Sequence, residues 1–417
     1  MKKEISSKIE AMLAKGIRVA NPASVEIGDE VDIGRISGDG VVIHTGCKIF
    51  GSSTLILQGT KVGYEGPVTI ANCQVGPNVE LKAGFFKDAV FLEQAVLGSG
   101  SHVREGTILE EQARIAHTVG LKHTILFPFV TLGSLINFCD CLMAGGTSRQ
   151  DHSEVGSAYI HFNYTPRQDK ATPSLIGDVP RGVMLNQKPI FLGGQGGMVG
   201  PCRLAFGTVV AAGAIIRQDE LRPGRLVFGE MSKSGNIPYK PGRPIPLKRV
   251  VVNNINYIAN LMALMQWYLH VRALFVAQHF PAELYAGLKA NLNLAIAERI
   301  TRLKAFYRPG SEGEGATPRN GQDAQSSCSA DRRCPERNGA WPQLEEVFER
   351  QKHFEGNQNL RDSFLKSVEQ GITRSGKTYI AVIQGLKKAD SEVGTQWLQG
   401  IVDHITDEAL QAMPSYR

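Results

Sequence analysis

Three polar segments of the chain carry residue types that could do chemistry. In "TSRQDHS" (147–153), His152 follows Asp151, and a histidine beside a carboxylate is suited to proton transfer near neutral pH. The second segment, "HFNYTPRQDKATPSLIGD" (161–178), is polar and flanked by proline. The third, "GGQGG" (193–197), could approach a phosphate, but without a following helix it favours a tight turn. The first two segments therefore hold the better candidates for acid–base chemistry and ligand contacts.

The second polar segment interrupts a six-residue repeat. Aliphatic residues recur every six positions and many are followed by glycine, a spacing that fits neither a helix nor simple strand alternation. The repeat predicts short strands separated by tight turns, with one aliphatic side chain of each hexad inward and the glycine permitting the turn. The members of the repeat are Ile27 and Ile33; Ile43, Ile49 and Leu55; Val62 and Val68; Val75 and Leu81; Leu97, Val103, Leu109 and Ile115; Leu132 and Phe138; Val199, Ala205 and Ala211.

The predicted fold is mainly β: a left-handed parallel β-helix of hexapeptide repeats, followed by an α-helical C-terminal region. Three hexads form one triangular coil, and coils stack at about 4.8 Å. Between residues 17 and about 235 there is room for on the order of ten coils. The repeat aliphatics are expected to form the core, so the chemistry must lie on loops or between chains.

Composition changes along the chain predict its boundaries. Four prolines between 238 and 246 indicate an extended linker, and residues 309–340 are rich in Gly, Ser, Pro and charge. The predicted segments are an N-terminal helix (1–16), the β-helix (17–235), a Pro-rich linker (236–250), a helical region (251–308), a disordered linker (309–340) and a C-terminal helical region (341–417).

Composition also limits the classes of function. The 417 residues carry a net charge of +6 and 45 glycines, without a basic stripe that would follow a nucleic acid. The seven cysteines lack zinc-site spacing and indicate reduced thiols in the cytoplasm. The start of the chain does not resemble a signal peptide, and polar residues interrupt the apolar stretch 255–276. We expect a cytoplasmic protein that binds neither nucleic acid nor membrane.

Three blocks of sequence carry a family resemblance. "VGSAYIHFNYTP" (155–166), "LIGD" (175–178) and "MVGPCRLAFGTVVAAGAIIRQD" (198–219) follow the order of the family's Asn-Tyr loop, Ile-Gly-Asp coil and Ala-Ala-Gly coil. In these blocks the chain resembles the acetyltransferase half of the bifunctional glucosamine-1-phosphate acetyltransferase/N-acetylglucosamine-1-phosphate uridyltransferase family. The resemblance covers roughly residues 95–220. Because the sequence passes from one helix directly into hexads, we expect the family's uridyltransferase domain to be absent.

The resemblance implies acyl transfer from acetyl-CoA to an amino sugar or a sugar phosphate or nucleotide, as in UDP-N-acetylglucosamine biosynthesis. It also implies a homotrimer with sites between neighbouring prisms, and no metal. The resemblance implies that Asn163, Tyr164 and Lys170 contact the acceptor or cofactor, and that Ser157 and Ala212 turn backbone amides toward the CoA arm. His152 is our candidate for the catalytic base, because it lies in a polar cluster with Asp151 available to orient it; the family's base lies two hexads further upstream of the loop. His123 and His161 are the substitutes.

The chain departs from the family pattern at the acceptor site. Thr165-Pro166 replaces the family's Asp-Gly, and the coil near 137–141 has only Cys and Asp where the family has a lysine for the sugar phosphate. Arg149 could supply the missing charge to the substrate, as could Arg167 or Arg181. These differences leave the identity of the substrate open.

Two other functions use the same fold. A carbonic anhydrase-type zinc site needs three converging histidines. His117 and His123 are one hexad apart and so face different sides of the prism, and no third partner is evident. The stronger alternative is a non-catalytic trimeric scaffold or sugar-nucleotide-binding protein. The altered loop and the missing lysine favour this alternative, whereas the three sequence blocks that follow the family's order argue against it.

Overall fold

The structure, a computed structural model, describes residues 6–163, 170–229, 247–307 and 335–417. Its main body is a triangular prism of short parallel strands, in which each strand pairs with the strands one coil before and one coil after it. The chain visits the three faces, here called A, B and C, in that order in every coil. The predicted left-handed β-helix with a helical C-terminal region is therefore confirmed.

The described residues contribute eleven strands to face A, ten to face B and eight to face C. Face A comprises Arg18–Val19, Val42–Ile43, Lys61–Val62, Glu80–Leu81, Val96–Leu97, Arg114–Ile115, Thr131–Leu132, Glu154–Val155, Phe191–Leu192, Val209–Val210 and Leu226–Val227. Face B comprises Glu26–Ile27, Lys48–Phe50, Val68–Ala71, Gly84–Lys87, Ser101–Val103, Val119–Lys122, Ile136–Cys139, Ile160–Phe162, Gly197–Val199 and Ile215–Ile216. Face C comprises Leu55–Ile56, Gln74–Val75, Ala89–Phe91, Thr107–Leu109, Ile125–Leu126, Cys141–Met143, Ser174–Ile176 and Arg203–Leu204.

Most of the repeat aliphatics lie in the core as predicted, but the final series was assigned one residue too late. Val199, Ala205 and Ala211 are half-buried. The inward positions are Met198, Leu204 and Val210, whose side chains are at most 3% exposed. Each of these strands offers two neighbouring small or apolar residues, so a six-residue step alone does not fix the phase.

A similar slip occurs in the first coil of face C. Leu55 pairs with Gln74, whereas Ile56 pairs with the inward Val75. Ile56 is therefore the inward residue, and Leu55 lies in the outward row. The step from Ile49 to the inward position is seven residues here because a longer turn, 51–54, separates the two strands.

The glycines that follow the repeat aliphatics serve mainly close stacking of the coils. A Cβ on Gly98 would lie 2.6 Å from the backbone of Ala116, and one on Gly133 would lie 2.9 Å from the nitrogen of Ser157. Of the glycines that follow repeat residues, Gly63 and Gly177 do have the positive φ expected for a turn. Absence of a side chain therefore matters more at these positions than freedom of the backbone.

Eight α-helices are found in the described residues, and most of them follow the ladder. They are α1 (Ser7–Ala14), α2 (Val179–Gly182), α3 (Leu247–His270), α4 (Ala282–Tyr307), α5 (Pro335–Gln351), α6 (Gln358–Ser375), α7 (Tyr379–Gln384) and α8 (Lys388–Gln411), with 3-10 helices at Pro22–Ser24, Ile33–Arg35, Arg272–Phe275 and Pro414–Tyr416. Helix α3 begins inside the segment assigned to the linker 236–250. Helix α5 begins inside the segment assigned to the linker 309–340, most of which lies outside the described residues.

Helices α3 and α4 pack against face C and convert it into an internal layer. Strand alternation turns one residue of each pair outward, and on face C this outward row is buried and largely apolar. Its members are Leu55, Gln74, Val90, Ile108, Ile125, Leu142, Leu175 and Arg203. The corresponding row of face A includes Lys61, Glu80, Arg114 and Glu154 and faces outward from the prism. The helical region and the β-helix thus share one core.

Helix α1 covers the N-terminal end of the prism. Its residues Ile9 and Met12 are buried, and the ammonium group of Lys8 donates hydrogen bonds to the backbone carbonyls of Gly28 and Val31. A terminal coil would otherwise expose apolar side chains and unpaired strand edges. The helix therefore closes the ladder at this end.

Candidate functional site

The residues predicted to form the site lie on three different edges of the prism. An edge is named here by the faces that it joins, in chain order. The predicted residues at these edges are Ser157 and Ala212 at the A/B edge; Asn163 and Lys170 at the B/C edge; and Arg149, Asp151 and His152 at the C/A edge. Tyr164 lies outside the described residues. Within one chain, the predicted base His152 therefore shares an edge neither with the predicted acceptor residues nor with the predicted donor residues.

His152 lies in a loop at the C/A edge and is half-buried. Its Nε2 atom is 3.8 Å from Oε2 of Glu154. Burial lowers the pKa of this histidine, and the nearby Arg149 cation lowers it further. The Asp151 carboxylate accepts a hydrogen bond from the Thr147 hydroxyl at 2.8 Å. The expected orientation of His152 by Asp151 is therefore not what the contacts show: Glu154 supplies the carboxylate near the ring, and Asp151 holds the loop.

Arg149 is bound to the ladder. Its Nη1 atom donates to the backbone carbonyls of Gln112, at 3.1 Å, and Phe129, and its Nη2 atom donates to the Thr131 hydroxyl at 2.9 Å. These bonds tie the loop to turns of two neighbouring coils. Arg149 thus anchors the loop, and a role in binding the substrate stays a prediction.

Asn163 begins the polar excursion at the B/C edge and is linked to the helical layer. Its side-chain amide donates to Oδ2 of Asp140 at 2.9 Å, and Oδ1 of Asp140 is 2.8 Å from Nη2 of Arg299 on α4. The side chains of Asp140 and Arg299 are 5% and 3% exposed. Lys170, on the same excursion, is exposed. The start of this loop is therefore held by a buried ion pair that spans ladder and helix.

The two substitute histidines are both withdrawn from solvent. His161 is an inward residue of face B that hydrogen-bonds the Ser174 hydroxyl at 2.8 Å, and burial lowers its pKa to about 4. His123 lies at the B/C edge with Nε2 3.7 Å from Glu298 of α4, and burial lowers its pKa to about 4. His161 fills the core, away from the open turns of the prism. His123 faces a helix.

The A/B edge brings together a pair that the sequence analysis missed. Nδ1 of His117 is 2.8 Å from the hydroxyl oxygen of Ser134, and the backbone N–H of Ser134 donates to the hydroxyl of Ser157 at 3.1 Å. The three residues occupy the same turn position in successive coils. When Nδ1 is unprotonated, the Ser134 hydroxyl donates to it and the imidazole can take up a proton.

Spacing was the signal that could have revealed this pair. Arg114 and Thr131 pair across coils of face A and are 17 residues apart, which is the spacing of His117 and Ser134. Polar residues that recur at the local coil length, at the same turn, must stack. The six-residue search did not test that longer period.

Free backbone donors accompany the pair. Among the described residues, neither the N–H of Ser157 nor that of Ala212 donates a hydrogen bond to another group. Both residues are exposed and lie two coils apart, which corresponds to about 10 Å at the usual strand spacing. Exposed N–H groups in a row can hold the carbonyl groups of an extended ligand.

Helices reach the other two edges of the prism. At the B/C edge, Asn291 of α4 donates to the carbonyl of Asp88 at 3.1 Å, and Asn254 of α3 donates to that of Ala171 at 3.0 Å. At the C/A edge, Gln384 of α7 donates to the carbonyl of Thr147 at 2.6 Å. The turns of the A/B edge, including His117, are exposed. A ligand would therefore find its open approach along the A/B edge.

Exposed apolar side chains border the C-terminal half of the A/B edge, on both of the faces that this edge joins. On face A, Phe191, Val209 and Leu226 are stacked in the outward row and are 40%, 42% and 63% exposed. On face B, Ile160 and Ile215 are 43% and 40% exposed. These five residues form what we call the apolar belt. Grouped apolar exposure of this kind marks a surface for association.

The described residues contain no group of three or more His, Cys, Asp or Glu side chains placed to hold a metal ion. His117 and His123 lie at different edges, as the hexad spacing indicated. Every helix in the described part of the chain also falls short of the length and apolar character needed to cross a bilayer.

The ladder, its hexad repeat and the open edge define a hexapeptide-repeat protein with a left-handed β-helix. No protein-family model matches the chain. It is similar to proteins named bifunctional protein GlmU: 27% identical to that of Thermotoga petrophila over 216 residues, 24% to that of Pelobacter propionicus over 209, and 26% to that of Clavibacter sepedonicus over 249. The family resemblance drawn from the sequence is thus confirmed.

The similarity is partial on both sides. The matches cover 51%, 50% and 58% of this chain and 42%, 40% and 46% of the three relatives. The matched part of the chain therefore spans less than half the length of these relatives.

Proposed function

We propose that this protein is an acyl-CoA-dependent N-acyltransferase that acts on an amino sugar, as a sugar phosphate or sugar nucleotide, with acetyl-CoA as the acyl donor. The observation that carries the proposal is the His117–Ser134 pair at the open A/B edge, in one row with Ser157 and Ala212. The similarity to GlmU proteins supports the same class of reaction.

The reaction needs a base that takes the proton, a site that binds the acyl donor and a site that binds the amine substrate. The amine nitrogen of the sugar attacks the thioester carbonyl carbon; the C–N bond forms, the C–S bond breaks, and CoA leaves as a thiolate. The amine must lose a proton, which Ser134 Oγ takes while its own proton passes to Nδ1 of His117. The thiolate is then protonated from His117 or from water.

The donor would lie along the A/B edge. Its pantetheine arm carries amide carbonyls, which suit the free N–H groups of Ser157 and Ala212. The methylene groups of the arm suit the apolar side chains that border the edge, such as Ile215. The arm and the row of N–H groups are both extended, so contacts can repeat from coil to coil.

The acceptor site would be completed by a second subunit. Asn163 and Lys170 lie at the B/C edge of their own chain and reach an A/B edge only when another copy is docked beside it. The apolar belt supports such self-association, and a homotrimer is the assembly that the resemblance implies. The proposed site therefore combines the A/B edge of one protomer with the polar excursion of its neighbour.

The base assignment is tested by thiol release from acetyl-CoA with a panel of amino-sugar phosphates. We expect His117→Ala and Ser134→Ala to lower kcat by about 10²- to 10⁴-fold, the usual contribution of a general base. His44→Ala, an imidazole near the same edge at the other end of the ladder, serves as the matched control and should leave kcat unchanged. Loss of activity in His152→Ala with normal His117→Ala would instead support the base expected from the sequence.

A thermal-shift series distinguishes the enzyme from the non-catalytic scaffold. Acetyl-CoA should raise the Tm of the wild type and of His117→Ala, because that variant keeps the donor surface. If no acyl-CoA shifts Tm and no amine is acylated, the scaffold interpretation gains and the transferase proposal fails.

Assembly is tested by changing the apolar belt. Val209→Glu places a charge in the belt, and we expect it to weaken self-association about tenfold or more in sedimentation equilibrium. Val96→Glu, in the same outward row of face A but several coils away, is the matched control. Equal association in both variants would place the subunit contact elsewhere.

A further inference from the structure

A cavity of about 310 Å³ lies between the C/A edge of the ladder and the helical layer. It is therefore at a different edge of the prism from the proposed active site at the A/B edge. One wall is made of turns that carry Glu93 and Glu111. The other is made of the chain between α3 and α4, with Arg272 and His279, and of the start of α7, with Lys377 and Tyr379. We call this space the corner cavity.

Arg272 and Glu111 form a buried ion pair in the wall of the corner cavity. Arg272 is 1% exposed; its Nη2 atom is 2.6 Å from Oε1 of Glu111, and its guanidinium carbon is 3.8 Å from the centre of the Tyr379 ring. The second carboxylate oxygen of Glu111 and Nε of Arg272 have no hydrogen-bond partner among the described residues. Buried polar atoms are almost always paired, so an ion pair with two unpaired atoms is unusual.

Two carboxyl groups, of Glu93 and Glu111, line the cavity. Glu93 lies half-buried at the cavity, and burial, with Glu111 nearby, raises its pKa. Glu110 is buried behind the wall and accepts a hydrogen bond from the Tyr268 hydroxyl at 2.6 Å. The ammonium group of Lys377 donates to the carbonyl of Val276 at 2.8 Å, away from these acids. Arg272 is thus the buried cation that faces them.

We propose that the corner cavity binds a small molecule that carries a protonated primary amine beside a hydrogen-bond acceptor. The amine would be held by the carboxylates of Glu93 and Glu111, and the acceptor by the guanidinium group of Arg272. Amino sugars and α-amino acids share this pairing of ammonium with a neighbouring hydroxyl or carboxylate. The site is separate from the A/B edge, so the bound molecule acts as an effector.

The position of the corner cavity gives binding a structural consequence. Its lining comes from the ladder, from the chain that joins α3 to α4, and from α7, so a ligand would bridge all three. Arg272 already stacks on Tyr379 and lies 5.0 Å from the Phe280 ring. A bound amine would complete the polar contacts of that stack and tighten the helical layer on the prism.

The test is isothermal titration of the full chain with three probes: glucosamine, serine and N-acetylglucosamine. Glucosamine or serine should bind, and N-acetylglucosamine, which lacks the charge, should bind at least tenfold more weakly. The stronger of the first two identifies the source of the amine. No binding of either amine at millimolar concentration would overturn the proposal.

Two variants separate binding from folding. Glu111→Gln removes the ion pair with Arg272 and can also destabilise the fold, whereas Glu93→Gln leaves that pair intact. Both should weaken amine binding about tenfold, while Glu80→Gln, an exposed carboxylate on face A, should not. His117→Ala should retain full binding, so failure here is distinguishable from failure of the proposed reaction. Unchanged binding in Glu93→Gln and Glu111→Gln would end the proposal.

Discussion

Faces A and C are built from the same repeat but present opposite outward surfaces. The inward rows of both are aliphatic and buried, so the inward rows do not distinguish them. The outward row of face C, with Val90, Ile108 and Ile125, is apolar and lies under α3 and α4. That of face A begins with charged and polar residues and ends in the apolar belt. The outward residue of each strand thus decides whether a face is covered, solvated or available to a partner.

Ion pairs beneath the helices and ion pairs on the open face A also differ in their exposure to solvent. Asp140 and Arg299 join the B/C edge to α4 and are nearly inaccessible. Lys61 and Glu80, paired at 2.9 Å on face A, are 55% and 36% exposed. An exposed pair contributes little to stability, whereas loss of one partner of a buried pair leaves an uncompensated charge. The two pairs therefore allow a direct test of how completely the helices cover the prism.

The largest effect is expected for Arg299→Leu. It leaves Asp140 buried without its cation and should lower the free energy of unfolding by about 3–5 kcal/mol. The matched change Lys61→Leu should cost less than about 1 kcal/mol. Both are measured by urea unfolding. The double variant Asp140→Leu with Arg299→Leu should recover part of the loss, and equal costs for the two single variants would mean that the helices do not exclude water from face C.

A smaller effect is expected in the outward rows themselves. Ile108→Ala on face C creates a cavity beneath α4 and should cost about 3 kcal/mol. Val96→Ala, half-buried in the outward row of face A, should cost less than about 1 kcal/mol. The same urea experiment measures both. A similar cost at the two positions would contradict the contrast between a covered and an open face.

The smallest effect concerns pH. Burial raises the pKa of Glu110 to about 7, above its ordinary value of 4.5. A raised pKa means that folding favours the protonated acid, so the stability it contributes is present below about pH 4.5 and is lost as pH rises toward 7. Glu110→Gln should therefore be more stable than the wild type at pH 8, by on the order of 2 kcal/mol, and equal to it near pH 4.

Glu220, which is ion-paired with Arg222, supplies the control of opposite sign. Hydrogen bonds from Arg222 lower the pKa of Glu220 to about 2. Its contribution to stability is present above about pH 4.5 and is lost as pH falls toward 2. Thermal unfolding of Glu110→Gln and Glu220→Gln between pH 3 and 8 measures both contributions. If Glu110→Gln gained stability at low pH, the carboxyl group would not be buried in its protonated form.

The ladder could be predicted from the sequence because its inward row repeats every six residues regardless of what surrounds the prism. The six-residue repeat does not show that helices pack on face C, although the sequence carries a signal for this packing. Ile108 and Leu109 are adjacent aliphatics in one strand of face C, and a fully buried strand is expected to be apolar at both positions. The hexad repeat accounts for one aliphatic residue in each strand and leaves the second, outward aliphatic unexplained.

The candidate site was harder to predict because edges, and not sequence distance, decide which residues meet. His152 and Ser157 are five residues apart but lie on different edges, whereas His117 and Ser134 are one full coil apart and touch. The resemblance favoured the polar excursion, and His152 was preferred as base because it lies in a polar cluster before that excursion, beside Asp151. Assigning each hexad to a face would have separated those residues before any role was given to them.

The hydrogen bonds of the helical layer have a consequence for how the molecule comes apart. In a stack of coils each unit contacts only its neighbours, so ends can fray one coil at a time. Asn291 of α4 holds the carbonyl of Asp88, and Asn253 of α3 holds that of Pro201, more than a hundred residues further along the ladder. Helices α3 and α4 therefore hold together the coils that lie between these two carbonyl groups. Those coils are expected to melt together, while the coils before Asp88, outside this region, open first.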